Sequence, residues 1–212
     1  MQNKDIKYKK GLTLIETIVA ITLFLLGIQA TILVFSKTMQ SKSYSIEMGR
    51  AAFIVSRSVG DLTKYLRKAC QSDAGAYPII SAGDDYINFY SDYDKDGDVE
   101  RLHVYLSNGI IFMGIRNPST TFPVTYQAGD GETIELGRNI VNTASEPVFS
   151  YYNRDYPADT INNPVATPAN VSEVRLIKIF LKINIDPNKA PDNINQETLV
   201  EIRNLNDYNR IQ

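Results

Sequence analysis

The sequence predicts an α+β fold, a very long N-terminal helix followed by an antiparallel sheet, and three observations carry that expectation. No proline occurs before Pro78, so nothing of that kind interrupts a helix beginning near the N-terminus. From Met48 to Ala69 apolar residues recur at spacings of three and four, which is one helical stripe. After Cys70 the apolar period changes to two, as in half-buried strands. A helix followed by consecutive strands is the element order of α+β domains.

The helical segment has two parts with different solvents. From Leu12 to Ser36 the only formal charge is Glu16. As a helix this run of 25 residues extends roughly 37 Å, more than the ~20 apolar residues that cross a bilayer core. From 37 to 70 the pattern is amphipathic, with Met48, Ala52, Val55, Val59, Leu62, Leu66 and Ala69 on the stripe. Arg57, Asp61, Lys64 and Arg67 fall off it. A single helix from Leu12 to Cys70 is the simplest reading, apolar all round in its first half and able to pack on a sheet with its second. Gly27, Gly49 and Gly60 are its weak points, each about 1 kcal/mol less favourable than alanine.

The remaining residues, 71–212, read as one β-rich globular domain. Ile87 and Phe89 share a face of a strand over 86–90, and Leu102, Val104 and Leu106 alternate with His103 and Tyr105. Between two apolar runs stands Asn108-Gly109, the strongest short hairpin signal, so 101–106 should turn back into 110–115. Further strands are expected at 148–152, at 174–185 and at 198–203. In the second of these Ile177, Ile179, Leu181, Ile183 and Ile185 line one face, with Lys178 and Lys182 on the other. Segments 116–132 and 153–172, rich in Pro, Gly, Asn and Thr, read as loops.

Charge and cysteine usage narrow the function classes. The chain has 22 basic and 24 acidic residues; without the four Lys and one Asp that precede Gly11, 18 and 23 remain. No Lys/Arg cluster with interleaved aromatics occurs beyond that point, so a nucleic-acid partner is not indicated. The single cysteine, Cys70, cannot form an intrachain disulfide, so the domain must stand on its core. Cys70 and His103 are also the only residues of their kinds, which gives no basis for a nucleophile–base pair or a zinc site. The expectation is a protein that is not an enzyme.

Lys4, Lys7, Lys9 and Lys10 against one Asp5 should keep the N-terminus in the cytoplasm, so that the chain is single-pass and its bulk extracytoplasmic. A cleaved secretory signal would have an apolar core of about 7–15 residues and a small-residue site, which this longer run does not match. A lone carboxylate one turn inside such a span is costly and wants a partner. Cleavage after Gly11 would create one, because the new amine at Leu12 lies one helical turn from Glu16.

Lys9-Lys10-Gly11-Leu12-Thr13-Leu14-Ile15-Glu16 resembles the cleavage and methylation signature of type IV prepilins and pseudopilins. Only Leu12 departs from it, standing where the family usually has Phe. The resemblance implies a pilin fold with a leader peptide at 1–11, a transmembrane and filament-core helix at 12–36, and its amphipathic continuation at 37–70. It implies that a prepilin peptidase cuts between Gly11 and Leu12 and N-methylates Leu12, and that Glu16 pairs with the terminal amine of a neighbouring subunit during assembly. The implied partners are the peptidase, other pilin subunits, the inner-membrane assembly platform and, before assembly, membrane lipid. Many type IV pilins bend the apolar half with a proline, which this chain lacks. The order of strands and the ending Val200-Glu201-Ile202-Arg203-Asn204-Leu205 look like the J-type minor pseudopilins of type II secretion and the related W-type minor pilins.

Two function classes follow from that resemblance. One is a structural, assembly-priming minor subunit at or near the filament tip; the other is a tip adhesin or a receptor for substrate or DNA carried on the same helix. Nothing in the sequence chooses among secretion, competence, adhesion and motility.

Asp92-Tyr93-Asp94-Lys95-Asp96-Gly97-Asp98-Val99-Glu100 matches the start of an EF-hand calcium loop, with oxygen ligands at alternate positions and glycine at the sixth. Asp92, Asp94 and Asp96 would give side-chain oxygens, Asp98 a backbone carbonyl and Glu100 a further ligand. The twelfth position is His103 instead of a bidentate glutamate, and strands flank the loop. Calcium binding and a solvated acidic turn are both compatible with this spacing.

Overall fold

The computed structural model describes residues 11–186, 188 and 193–207. It has an α+β layout: helix α1 (Leu14–Arg67), then strands β1 (Ile79–Ala82), β2 (Tyr86–Ser91), β3 (Glu100–Ser107), β4 (Ile110–Arg116), β5 (Glu132–Arg138), β6 (Phe149–Tyr152), β7 (Leu176–Ile183) and β8 (Ile194–Glu201), and the short helix α2 (Arg203–Asp207). The chain divides into two compact units, residues 1–46 and 47–212, with α1 running through the division.

Of the first unit, the described part is the start of α1. Every residue from Gly11 to Ser43 is exposed, including Leu14, Phe24, Leu26 and Phe35. This is a helix long and apolar enough to cross a membrane, with a mean hydropathy of 2.5 in its most apolar window. Its threonines send their hydroxyls back to carbonyls of the preceding turn, Thr22 to Ile18 O and Thr31 to Gly27 O, so even the polar residues expose little unpaired hydrogen-bonding capacity.

In the second unit the amphipathic stripe of α1 enters the core as its spacing predicts. Val55, Val59, Leu62, Leu66 and Ala69 are buried, whereas Arg57, Lys64 and Arg67 remain exposed. Helix α1 ends at Arg67, three residues before the expected limit, with Ala69 N donating to Leu66 O in a tighter closing turn.

Among the described residues eight strands form two antiparallel sheets where one was expected, β1-β2-β3-β4-β5 and β6-β7-β8, each with neighbours consecutive in sequence. Phe149 N donates to Asp84 O and Ala169 N to Ala82 O, joining the start of β6 and the β6–β7 loop to the β1–β2 turn and the end of β1. Tyr151, fully buried on β6, donates its hydroxyl to Gly83 O at 2.8 Å and lies 3.1 Å from Tyr86 O. Buried side chains of α1 and of both sheets make one continuous cluster.

The β3–β4 hairpin has the predicted register, Ser107 opposite Ile110. Asn108 and Gly109 both have positive φ, 51° and 72°, as a two-residue turn of this hand requires. On β7 Ile177, Ile179, Leu181 and Ile183 are fully buried, while Ile185 lies past the strand and is half-buried. The last strand is displaced from the expected 198–203. It begins at Ile194 and ends at Glu201, because Ile202 turns into the core and Leu205 follows it there on α2.

Two strands lay outside the sequence reading. β1 has four residues and a register shift between Ile79 and Ser81. β5 offers only Ile134 and Leu136 among charged neighbours, a pattern too weak to distinguish from loop. It is held by contact with α1: Ser58 Oγ donates to Leu136 O at 2.6 Å, and a Cβ on Gly137 would stand 2.7 Å from Val55 Cγ2.

Candidate functional site

Two groups of residues carry the chemistry suggested by the sequence, one at the start of α1 and one in the β2–β3 loop. Gly11 and Leu12 precede the helix in non-helical conformation and are exposed. A Cβ added to Gly11 would meet nothing within 4 Å, so no packing among the described residues demands glycine there. The leader residues before Gly11, with Lys4, Asp5, Lys7, Lys9 and Lys10, lie outside the described residues.

Thr13 and Glu16 form a capping box. Thr13 N and Thr13 Oγ1 donate to Glu16 Oε2 at 2.9 and 3.0 Å, and Glu16 N donates back to Thr13 Oγ1 at 3.4 Å. Two of the amides left free where a helix begins are thereby satisfied. The Thr-x-x-Glu spacing is a sequence signature of a helix start, yet the sequence reading treated Glu16 only as a charge wanting a cation. Both Thr13 bonds end on Oε2, and Oε1 takes no donor among the described residues. Cleavage after Gly11 would leave every member of the box in place.

The acidic loop is built by the ends of β2 and β3. Ser91 pairs with Glu100 across the ladder, so the eight residues between them close a loop at the sheet end. Lys95 and Gly97 have positive φ, 67° and 99°, the glycine at the position where the calcium-loop pattern requires a sharp turn. Asp92 Oδ1 accepts from Lys95 N at 2.6 Å, Asp94 Oδ1 from Asp96 N at 3.2 Å, and Asp96 Oδ1 from Asp98 N at 2.9 Å.

Of the five residues nominated by spacing, Asp92, Asp94 and Glu100 each bring a carboxylate oxygen within 4.8 Å of the others. Asp96 and Asp98 stand outside that cluster. Asp94 is exposed and Asp92 half-buried, but Glu100 is only 2% exposed. Its Oε2 accepts from Tyr93 N at 2.7 Å, while its Oε1 is buried without a donor. Burial pushes the Glu100 carboxyl above the usual carboxylate range, and the charges of Asp94 and Asp96 push the same way against the backbone amides of Tyr93 and of Glu100 itself.

Residues distant in sequence fasten this loop. Ser91 Oγ donates to Tyr65 O at 3.1 Å, and the Tyr93 ring packs on that of Tyr65 with centroids 5.2 Å apart. Val99 N donates to Asp73 Oδ2 at 2.9 Å, and Tyr126 OH donates to Val99 O at 2.6 Å. Tyr126 is pushed up to about 12, chiefly by burial, with Asp73 and Glu100 among the neighbouring groups that add to it. No local pattern marked Asp73, Tyr93 or Tyr126, because their roles depend on approaches across the fold.

Burial raises the Cys70 thiol above its ordinary value, and the charges of Asp73, Asp92 and Glu100 also act upward. A thiol held protonated is a poor nucleophile. His103 Nδ1 lies 3.2 Å from Asp130 Oδ2 and its ring stacks on Tyr105. Gly114 makes that pairing sterically possible, since a Cβ there would fall 2.2 Å from Asp130 Cγ.

No protein-family profile, curated protein or solved structure matches the chain.

Proposed function

We propose that this chain is a minor pilin or pseudopilin, a structural and assembly-priming subunit of a type IV pilus or of a secretion or competence pseudopilus. The observation that carries the reading is the ordered run Lys9-Lys10-Gly11-Leu12-Thr13-Leu14-Ile15-Glu16 leading directly into a 54-residue helix. The apolar residues of its first half, exposed in the isolated chain, need lipid before assembly and other subunits after it. The α+β unit that follows is compatible with the pilin fold, and the strand order with the J-type and W-type minor subunits named by resemblance.

In this reading prepilin peptidase cuts between Gly11 and Leu12 and methylates the new amine. Gly11 is required by the peptidase, consistent with the open space around it in the chain. Glu16 keeps its Thr13 contacts through Oε2 and offers Oε1 to the terminal amine of a neighbouring subunit, and the assembly platform draws the helix from the membrane into the filament.

Mass spectrometry of the mature N-terminus tests this. The expected product begins at N-methyl-Leu12, and Gly11→Val should leave an uncut, membrane-retained precursor. A full-length, unmethylated chain found inside assembled filaments would overturn the proposal.

A further inference from the structure

Glu100 presents an unusual electrostatic problem. Its side chain is almost wholly buried, Oε1 has no donor, and one carboxylate oxygen each of Asp92, Asp94 and Glu100 lies within 4.8 Å of the others. Among the described residues no Lys, Arg or His forms an ion pair with any of the three. A buried carboxylate needs a proton or a positive charge. One proton would neutralise Glu100 and give it a single O–H to share with one aspartate, leaving both aspartate charges uncompensated, whereas a divalent cation would serve all three.

We infer that Asp92, Asp94 and Glu100 hold a calcium ion at the junction of β2 and β3. Three carboxylates from one nine-residue stretch favour calcium over magnesium, which retains most of its water and is usually held by one or two. The side-chain ligand set is narrower than the spacing suggested: the Asp96 carboxylate accepts from Asp98 N and lies outside the cluster. The ion would fasten Asp92, at the end of β2, to Glu100, at the start of β3. Through Tyr93 on Tyr65 and Ser91 on Tyr65 O, it would also secure the loop against the C-terminal part of α1.

Calcium binding is independent of how the N-terminus is processed, so the full-length chain in detergent, stripped with a chelator, is a valid sample. Isothermal titration should give one site with Kd on the order of 0.1–1 mM. Calcium at ten times Kd should raise Tm by roughly 3–6 °C. Terbium in the same site should luminesce on excitation of the tyrosines, Tyr93 being within the loop, and calcium should quench it by competition. Glu100→Gln and Asp94→Asn should each weaken binding at least about tenfold, as loss of a charged ligand does. Asp94 is exposed, so its variant keeps the test valid if the Glu100 variant fails to fold.

Absence of saturable binding up to roughly 10 mM calcium, or an Asp94→Asn variant that binds like the wild type, would overturn the inference. A Tm that rises on acidification and ignores calcium would do so as well, since it assigns Glu100 a proton instead.

Discussion

Tyr151→Phe should separate the two sheets energetically while leaving their shapes alone. The hydroxyl of Tyr151 donates to Gly83 O at 2.8 Å, across from β6 to the β1–β2 turn. Tyr86 O, 3.1 Å away, already accepts from Gly83 N at 2.9 Å, so the carbonyl left without a donor is that of Gly83. A typical net hydrogen bond contributes about 1 kcal/mol, and a stranded buried carbonyl costs about 1–3 kcal/mol, so a loss near 2 kcal/mol is expected. For a unit spanning residues 47–212 that corresponds to a Tm lower by roughly 4–8 °C. Thermal denaturation of the full chain in detergent, followed by near-UV circular dichroism at neutral pH, measures it.

The pH dependence supplies a second arm. Burial holds the Tyr151 phenol well above its ordinary value, with Tyr86 and Asp84 adding to the shift. The raised folded-state value favours the neutral form, so its contribution is complete below the unfolded value near pH 10 and declines as pH rises beyond it. Phenylalanine has no such decline, and the gap between wild type and variant should narrow above about pH 10. A variant melting within about 1 °C of the wild type, or a gap unchanged in alkali, would refute the assignment of this hydroxyl as a stabilising tie between sheets.

Three further outcomes follow from other contacts. Gly137→Ala places a Cβ 2.7 Å from Val55 Cγ2, and since valine is stiff in a helix, overpacking should cost about 1–3 kcal/mol in the unfolding free energy from chemical denaturation. Val55→Ala in the same chain should recover part of that loss, and purely additive effects would contradict the contact. Ultraviolet titration should show a phenol ionising near pH 12 that Tyr126→Phe removes; stability from its burial is complete below about pH 10 and falls as pH rises toward 12. Glu16→Ala should leave membrane insertion and cleavage largely intact but sharply reduce filament incorporation, scored by immunoblot of sheared filaments; wild-type incorporation would count against the assembly role.

The sequence made certain parts of this fold legible because they depend on local rules. The α1 stripe, the alternation on β2, β3 and β7, and the Asn108-Gly109 turn each follow from periodicity or from backbone preferences within a few residues. β5 was not legible because its two apolar side chains acquire meaning only beside Val55 and Ser58. The joining of the two sheets runs through Tyr151 reaching Gly83, a contact between residues 68 positions apart. The acidic loop falls between these cases, since spacing nominated its acidic residues and folding brought the carboxylates of Asp92, Asp94 and Glu100 together.

By itself, the sequence determined a long helix followed by strands, the apolar half of that helix and the octet that introduces it, all encoded in residue identity and short-range spacing. Tertiary structure alone decided that Glu100 is buried with an oxygen unpaired, that Asp73, Tyr93 and Tyr126 fasten the same loop, and that the strands part into two sheets. The physical reason is the same in each case. Burial and electrostatic environment depend on which distant atoms exclude water from a group, and no local pattern carries that information.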